Sequence, residues 1–482
     1  MVTNPLAGNP LAPEWLSLPA DANALADGLW PASATRNTDG QLVIGGITAA
    51  KLAAEFGTPL YVIDETAARA RAAALRTAFE TEFARIGTTV RVYYAGKAFL
   101  CTEVARWMVA ADLNIDICSG GELEVALAAG IDPARLGFHG NNKSLAEIDQ
   151  ATRRGVGTII IDSAIEIGRV AEAAARHGTV QSVRLRVNSG VHAHTHEFLA
   201  TAHEDQKFGV VLEDAPRLVA AIRAQASLRF IGLHCHIGSQ IFGTDGFAES
   251  ASRLLAVHAS LLSGGPVPEL NLGGGFGIAY TAADTPTPLP ELASRLANIV
   301  AAECLRRGIP IPVIAIEPGR AIIGPAGVTL YTVGTTKVVG VAGAPRLYVS
   351  IDGGMSDNAR PALYGADYSV RIAGRVSDAA PALVRIAGKH CESGDIVVNA
   401  DYLPGDVTPG DLVAVPATGA YCWSLSSNYN YLGRAPVVAV SNATARVLIR
   451  GETIADLLAR DTGVSTTGVS RGSTTELKDS SR

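Results

Sequence analysis

Four short segments of this 482-residue chain join a chemically capable side chain to a β-branched run or to glycines. In YYAGKAF, Lys97 follows an apolar run. A desolvated amine there can form a Schiff base with an aldehyde, although a surface lysine opening a loop is the plainer reading of that residue alone. In LNLGGGFGI, the consecutive Gly273, Gly274 and Gly275 permit close backbone approach, and their N–H groups can cradle a phosphate. A tight turn would need no more than that. In IAIEPGRAI, Glu317 and Arg320 flank Pro318 and Gly319. They could form a structural ion pair, or the carboxylate could meet a cationic ring nitrogen while the guanidinium holds an anion. GLHCHIGSQ places His234 and His236 on one face of an extended run, with Ser239 beyond. No third His, Cys or carboxylate follows at ligand spacing, so the pair is not expected to hold a metal. A ring stacked on an aromatic cofactor suits His236, a core position suits His234, and Ser239 could donate to a phosphate.

Three later segments add candidates. DGGMSDNARPALYGA carries Arg360 and Tyr364, and ATGAYCWSLSSNYN carries Tyr421. GKHCESGD sets Cys391 and Glu392 in a Gly-rich turn. A cysteine flanked by His390 and Glu392 is unlike a small buried core residue and reads as an exposed, reactive thiol.

Eight β-branched runs, at 89–95, 113–119, 135–140, 157–162, 182–188, 229–236, 268–273 and 312–317, alternate with Ala-rich stretches of helical character. That βα repeat implies a parallel sheet, and its number and span fit a (β/α)8 TIM barrel within an α/β fold. An open doubly wound sheet is the rival, but no GxGxxG follows the first strand. In a barrel the active site forms at the C-terminal strand ends. The candidates cluster there: Lys97, His139, Asp162, Asn188, His236, Ser239, the three glycines, Glu317 and Arg320. Beyond residue 330, Val-rich segments separated by Gly, Pro, Asp and Asn read as an antiparallel β domain. The expected organisation is a loosely ordered arm (1–40), strands contributed to the β domain (41–64), the barrel (65–328), the C-terminal β domain (329–462) and a disordered Ser/Thr/Gly-rich tail (463–482).

Composition excludes other classes. Apolar residues make up 48% and charged residues 18%, enough for a large core. A net charge of −6 argues against nucleic acid or an anionic membrane as partner, and no apolar run is long enough to span a bilayer. No Lys or Arg precedes Arg36, so a charged signal region is not expected. Six scattered cysteines without a CxxC pair suit a reducing cytoplasm.

Taken together and in order, YYAGKAF, DICSGGELEVALAAG, FHGNNKS, VNSGVHAHTHEFLATAHEDQKFG, GLHCHIGSQI, NLGGGFGI, EPGR, DGGMSDNARPALY, HCESGD and GAYCWSLSSNYN resemble the diaminopimelate decarboxylases, from about residue 40 to about 460. These are pyridoxal 5'-phosphate enzymes of the alanine-racemase-like fold type III, with a barrel before a β domain. The resemblance implies that Lys97 carries the cofactor covalently. It implies that His236 stacks on the ring, that Ser239, Gly274 and Gly275 hold the phosphate, and that Glu317 binds the ring nitrogen. Gly319, Arg320 and Tyr421 belong to the cofactor site. Arg320, Arg360, Tyr364, Glu392 and Tyr421 would bind substrate, with Cys391 and Glu392 supplied across a homodimer interface and Cys391, or else Lys97, as the candidate proton donor. VNSG and AHED depart from the family's usual VNPG and GQED.

The implied reaction is decarboxylation of meso-2,6-diaminopimelate at its D-centre to L-lysine and CO2, the last step of lysine biosynthesis. Alternatives are a decarboxylase of arginine, ornithine or a carboxylated polyamine, a racemase, or a non-catalytic cofactor-binding homologue.

Overall fold

The computed structural model describes residues 9–191, 207–340 and 344–463. Eight strands follow in chain order: β1 (Val90–Ala95), β2 (Asn114–Ile117), β3 (Leu136–Phe138), β4 (Thr158–Ile161), β5 (Gln181–Asn188), β6 (Leu228–His234), β7 (Glu269–Asn271) and β8 (Val313–Ile316). Each pairs in parallel with the next, and β8 returns to β1 with Ile314 opposite Val90, so the sheet closes. Every expected run overlaps one barrel strand, two of the strands starting one residue before the run.

The strands read as apolar runs because both faces are covered. All four residues of β4 are buried. The helices show how local sequence sets the βα rhythm. Leu145–Arg154 opens on a Ser144/Glu147 capping box, buries Ile148 and Ala151, and stops at Gly155 in the left-handed conformation. Inside the barrel, Arg184 is fully buried, 2.6 Å from the Glu269 carboxylate and 3.1 Å from the Tyr93 hydroxyl. Gly232 makes room for the neighbouring strand: a Cβ there would lie 2.1 Å from the Glu269 carbonyl oxygen.

The second domain is a mostly antiparallel sheet around the long strand Gly327–Val339. That strand pairs antiparallel with Arg346–Ile351, Leu412–Pro416 and Leu60–Asp64. Two pairings are parallel, Leu60–Asp64 with Val437–Ser441 and Arg346–Ile351 with Pro381–Ala387. The PLYVID run thus enters this sheet before the chain builds the barrel. The GQLVIGGI run does not. Leu42–Ile44 forms a separate three-stranded sheet with Thr35–Arg36 and Ile47–Thr48. The positive φ of Gly45 and Gly46 folds the chain back after three residues, and Leu42 and Ile44 then pack on Leu60, Val328 and Val438.

The stretch expected to be a loose arm is packed from residue 9 onward. Leu29 and Trp30 are buried, and the Arg36 guanidinium donates to the carbonyls of Asn23, Gly40 and Ile372. The arm is held by single anchors in successive turns, not by one periodic face, so hydrophobic periodicity carries no sign of it. Residues 1–8 and the tail beyond Gly463 lie outside the described residues, as does the AHED part of the long motif.

Candidate active site

The strand ends open into one cavity of about 1130 Å³. Lys97, His236, Ser239, Gly275, Glu317, Gly319, Arg320, Arg360, Tyr364 and Tyr421 all line it. Residues from β1, from the barrel's later strands and from the β domain are thereby brought to one volume.

Lys97 sits in a single 3-10 turn, Gly96–Ala98, directly after β1; its neighbours are buried and its own side chain is free of the core. Gly319 seats the β8 loop against this turn, since a Cβ there would lie 2.8 Å from the Ala95 carbonyl oxygen. The Tyr421 N–H donates to the Ala98 carbonyl at 2.8 Å, and Tyr421 holds φ at +61°, a conformation non-glycine residues seldom adopt. The loop from the β domain is therefore tied to the lysine turn.

Glu317, just past β8, is the electrostatic centre. Its carboxylate accepts from the Asn271 amide at 2.6 Å and faces His234 Nε2 at 3.1 Å and His139 Nε2 at 3.4 Å. Burial by itself drives this carboxyl up. In acid, where the rings are protonated, the imidazolium charges of His234 and His139 and the hydrogen bond from His234 outweigh burial and hold it well below the usual carboxylate range. Burial, followed by the Glu317 charge, raises Asp116 well above its ordinary value. Burial also lowers His139 and His234 to about 4, so they are neutral at pH 7. An ionised Glu317 then requires His234 to carry its proton on Nε2. His236 is likewise lowered by burial, and its Nδ1 accepts the Gly274 N–H at 3.3 Å, which fixes the ring.

His234 is a buried histidine whose Nε2 is satisfied by Glu317. Barrel closure adds a neighbour that spacing along one strand does not show, since one ligand atom each of His139, His234 and Glu317 lie within 4.8 Å of one another.

The neutral histidines make stability depend on acid. A group depressed in the folded state contributes stability above its unfolded pKa and loses it as pH falls through the folded value. His139, His234 and His258 all sit at about 4 against an ordinary 6.5. The cofactor-free protein is therefore expected to melt several degrees lower at pH 5 than at pH 7.5 by calorimetry. An equal or higher Tm at pH 5 would contradict the neutral assignment.

The glycine loop leaves no room for side chains. A Cβ on Gly274 would lie 2.1 Å from the Glu317 carbonyl oxygen, and one on Gly275 2.3 Å from that of Gly238. Gly273 and Gly275 have φ of +71° and +101°. Gly274→Ala must push the loop away from β8. It is expected to weaken phosphate-ester binding at least about tenfold by equilibrium titration; unchanged affinity would show that the loop does not contact that ligand.

At the wider end, Arg320 donates to Ser239 Oγ at 2.8 Å and to the Tyr280 hydroxyl, with its guanidinium 4.6 Å from the Tyr421 ring centre. Arg360 is buried, donates to the Tyr368 hydroxyl and lies over the Tyr280 ring at 4.3 Å. Both cations face aromatic rings, with no carboxylate paired to either among the described residues. Tyr364 stands exposed at the end of the short helix Arg360–Tyr364.

Cys391 and Glu392 do not line this cavity. They project, exposed, from the Gly-rich turn between Pro381–Ala387 and Ile396–Pro404. The turn itself is firmly held. The buried Asp395 carboxylate accepts the N–H groups of Met355 and His390. The His390 ring sits between Ser356 Oγ at 2.8 Å and Asn430 Oδ1 at 2.9 Å. A rigid base thus carries an outward tip.

Asp116, Asn271, Arg186, Tyr280 and Trp15 were not among the expected site residues. Asp116 and Asn271 are buried polar side chains inside strands, Asp116 in the cavity wall and Asn271 donating to Glu317. Their only sequence signal is a polar residue at an inward position of an otherwise apolar run.

Comparison with known proteins agrees with this geometry. Residues 69–324 match the model of the pyridoxal-dependent decarboxylase family, pyridoxal-binding domain. The chain is 51% identical over 444 residues to a diaminopimelate decarboxylase of Mycobacterium bovis, covering 90% of this chain and 98% of that one. It is 42% identical to that of Bacillus subtilis, covering 88% and 96%. The crystal structure of diaminopimelate decarboxylase from M. jannaschii in complex with L-lysine superposes with a TM-score of 0.83 at 30% identity, covering 90% and 98%. With a closed barrel, a mostly antiparallel second domain and relatives this similar along nearly their whole length, the chain belongs to the pyridoxal-phosphate-dependent diaminopimelate decarboxylases.

Proposed function

We propose that this protein decarboxylates meso-2,6-diaminopimelate at its D-centre to L-lysine and CO2, with pyridoxal 5'-phosphate as cofactor and as a homodimer with shared active sites. One observation carries the reading: an amine (Lys97), an ionised carboxylate (Glu317) and two cations without a carboxylate partner among the described residues (Arg320, Arg360) line a single cavity at the barrel mouth.

The cavity suits the cofactor. His139 Nε2, His234 Nδ1 and both Asp116 oxygens are buried polar atoms without a hydrogen-bond partner, around the carboxylate that would meet a ring nitrogen. The glycine loop is a cradle any Cβ would fill. Lys97 would hold the aldehyde end covalently, and Ser239 with the Gly274 and Gly275 N–H groups would hold the phosphate. His236 would cover a ring face, Gly319 and Tyr421 would complete the wall, and Glu317 would keep the ring nitrogen protonated, since an adjacent negative charge favours the charged form. When bound, pyridoxal phosphate supplies the sink for the electron pair left as CO2 departs.

The chain's other side chains orient the substrate. Arg360, Tyr364 and Arg320 would take carboxylate, and Glu392 the distal ammonium. A substrate lacking the distal carboxylate leaves a buried guanidinium unpaired, at a cost of about 1–3 kcal/mol per group. Cys391 would donate the proton that replaces the carboxylate. Because Cys391 and Glu392 face outward from their own cavity, the reading assigns them to the site of a second copy. All six cysteines are free, which goes with a cytoplasmic location.

Incubating the purified protein with pyridoxal phosphate and diaminopimelate is expected to release CO2 and L-lysine in equal amounts. Preference for ornithine or arginine would reassign the substrate, and epimerisation without CO2 would reassign the reaction.

A further inference from the structure

The N-terminal arm reaches the catalytic cavity. Trp15 lines the same volume as Lys97, Arg360, Tyr364, Ala366 and Asp367. It is held there from several directions. Leu16 and Ala12 pack into a small apolar cluster with Leu383, Ala400 and Tyr402. The Asn9 amide donates to the Pro345 carbonyl, the Arg346 guanidinium to the Leu11 carbonyl, and Leu16 N–H to the Pro13 carbonyl at 3.0 Å. The strand Ile396–Pro404, which presents Ala400 and Tyr402 to the arm, also carries Asn399, whose amide donates to Asp367 at 3.3 Å. The helix Arg360–Tyr364 packs on that same strand. The arm, Asp367 and the Arg360 helix are therefore mounted on one element, and Trp15 belongs to the end of the cavity that this helix closes.

We propose that Trp15 is a specificity-determining residue, an apolar wall against which the substrate's aliphatic chain lies and which keeps water from the Arg360–carboxylate contact. This rests on the decarboxylase reading above. An indole there buries methylene groups and lowers the local dielectric, so a carboxylate placed on Arg360 is held more strongly than in an open, wet cavity. The effect belongs to binding the distal end of the substrate and not to the reacting bonds, so it acts on KM more than on kcat.

The test uses full-length holoenzyme. Trp15→Ala is expected to raise KM for diaminopimelate about tenfold with kcat changed by less than about threefold, and Trp15→Phe to keep KM within about threefold of wild type. A second measurement does not depend on turnover. Titrating holoenzyme with L-lysine should change the intrinsic tryptophan fluorescence, and the component due to Trp15 should be missing in Trp15→Phe, which keeps Trp30, Trp107 and Trp423. A KM for Trp15→Ala within about twofold of wild type, or a lysine-induced fluorescence change of equal size in Trp15→Phe, would overturn the proposal. If wild-type protein releases no CO2 from diaminopimelate but does from another amino acid, the substrate reading fails. The same comparison on that amino acid then decides the role of Trp15 separately.

Discussion

Lys97→Ala is expected to lower turnover by about 10,000-fold or more and to abolish the visible absorbance that covalent attachment gives the cofactor. The size of the effect follows from position. The lysine turn is wedged between the β8 loop at Gly319 and the Tyr421 loop, with the buried Gly96 and Ala98 on either side, so only the side chain is free. No other lysine among the described residues lines the cavity, and a guanidinium, as on Arg320 and Arg360, does not serve as the nucleophile. Removing the amine leaves phosphate and ring contacts intact, so the variant should still bind pyridoxal phosphate, more weakly, by equilibrium dialysis. A variant with more than a few per cent of wild-type turnover would show that Lys97 does not hold the cofactor.

Cys391→Ala is expected to keep the cofactor and its absorbance but to lose about 100- to 1,000-fold in kcat, the usual scale for removing a proton donor. The stronger form of this prediction is complementation. Cys391 is exposed and away from its own cavity, so the reading places it in the site of the other subunit. Lys97→Ala and Cys391→Ala homodimers should each be nearly inactive. Unfolded, mixed in equal amounts and refolded together, they give half heterodimers, each with one intact site, so about a quarter of wild-type activity should return. No recovery, with heterodimers verified by native mass spectrometry, would place Cys391 within one chain's own site or outside catalysis.

The barrel was legible because most of its strands are short, largely buried on both faces and bounded by glycine, cap or turn residues; such local signals survive in any tertiary context. The same holds for the candidates at strand ends, since a barrel has only one face on which such residues can meet. Lys97, Glu317 and the glycine loop could therefore be named from linear order alone, and so could the run at 59–64 as a strand. Its partners could not: Leu60–Asp64 pairs with strands more than 250 residues later, and nothing local encodes that choice.

Three further things needed the folded chain. Charge states at the Glu317 cluster arise because β2, β3, β6 and β8 bring Asp116, His139, His234 and Glu317 face to face, away from water, where each group's proton affinity depends on the others. The outward aim of Cys391 comes from the Asp395 and His390 anchors beneath it. The arm's route to the cavity rests on scattered single contacts with no period to betray them. Short-range patterning determined the elements and the inventory of reactive groups in this protein, while their electrostatics, their facing and their neighbours were decided only when distant segments closed around a shared, dry interior.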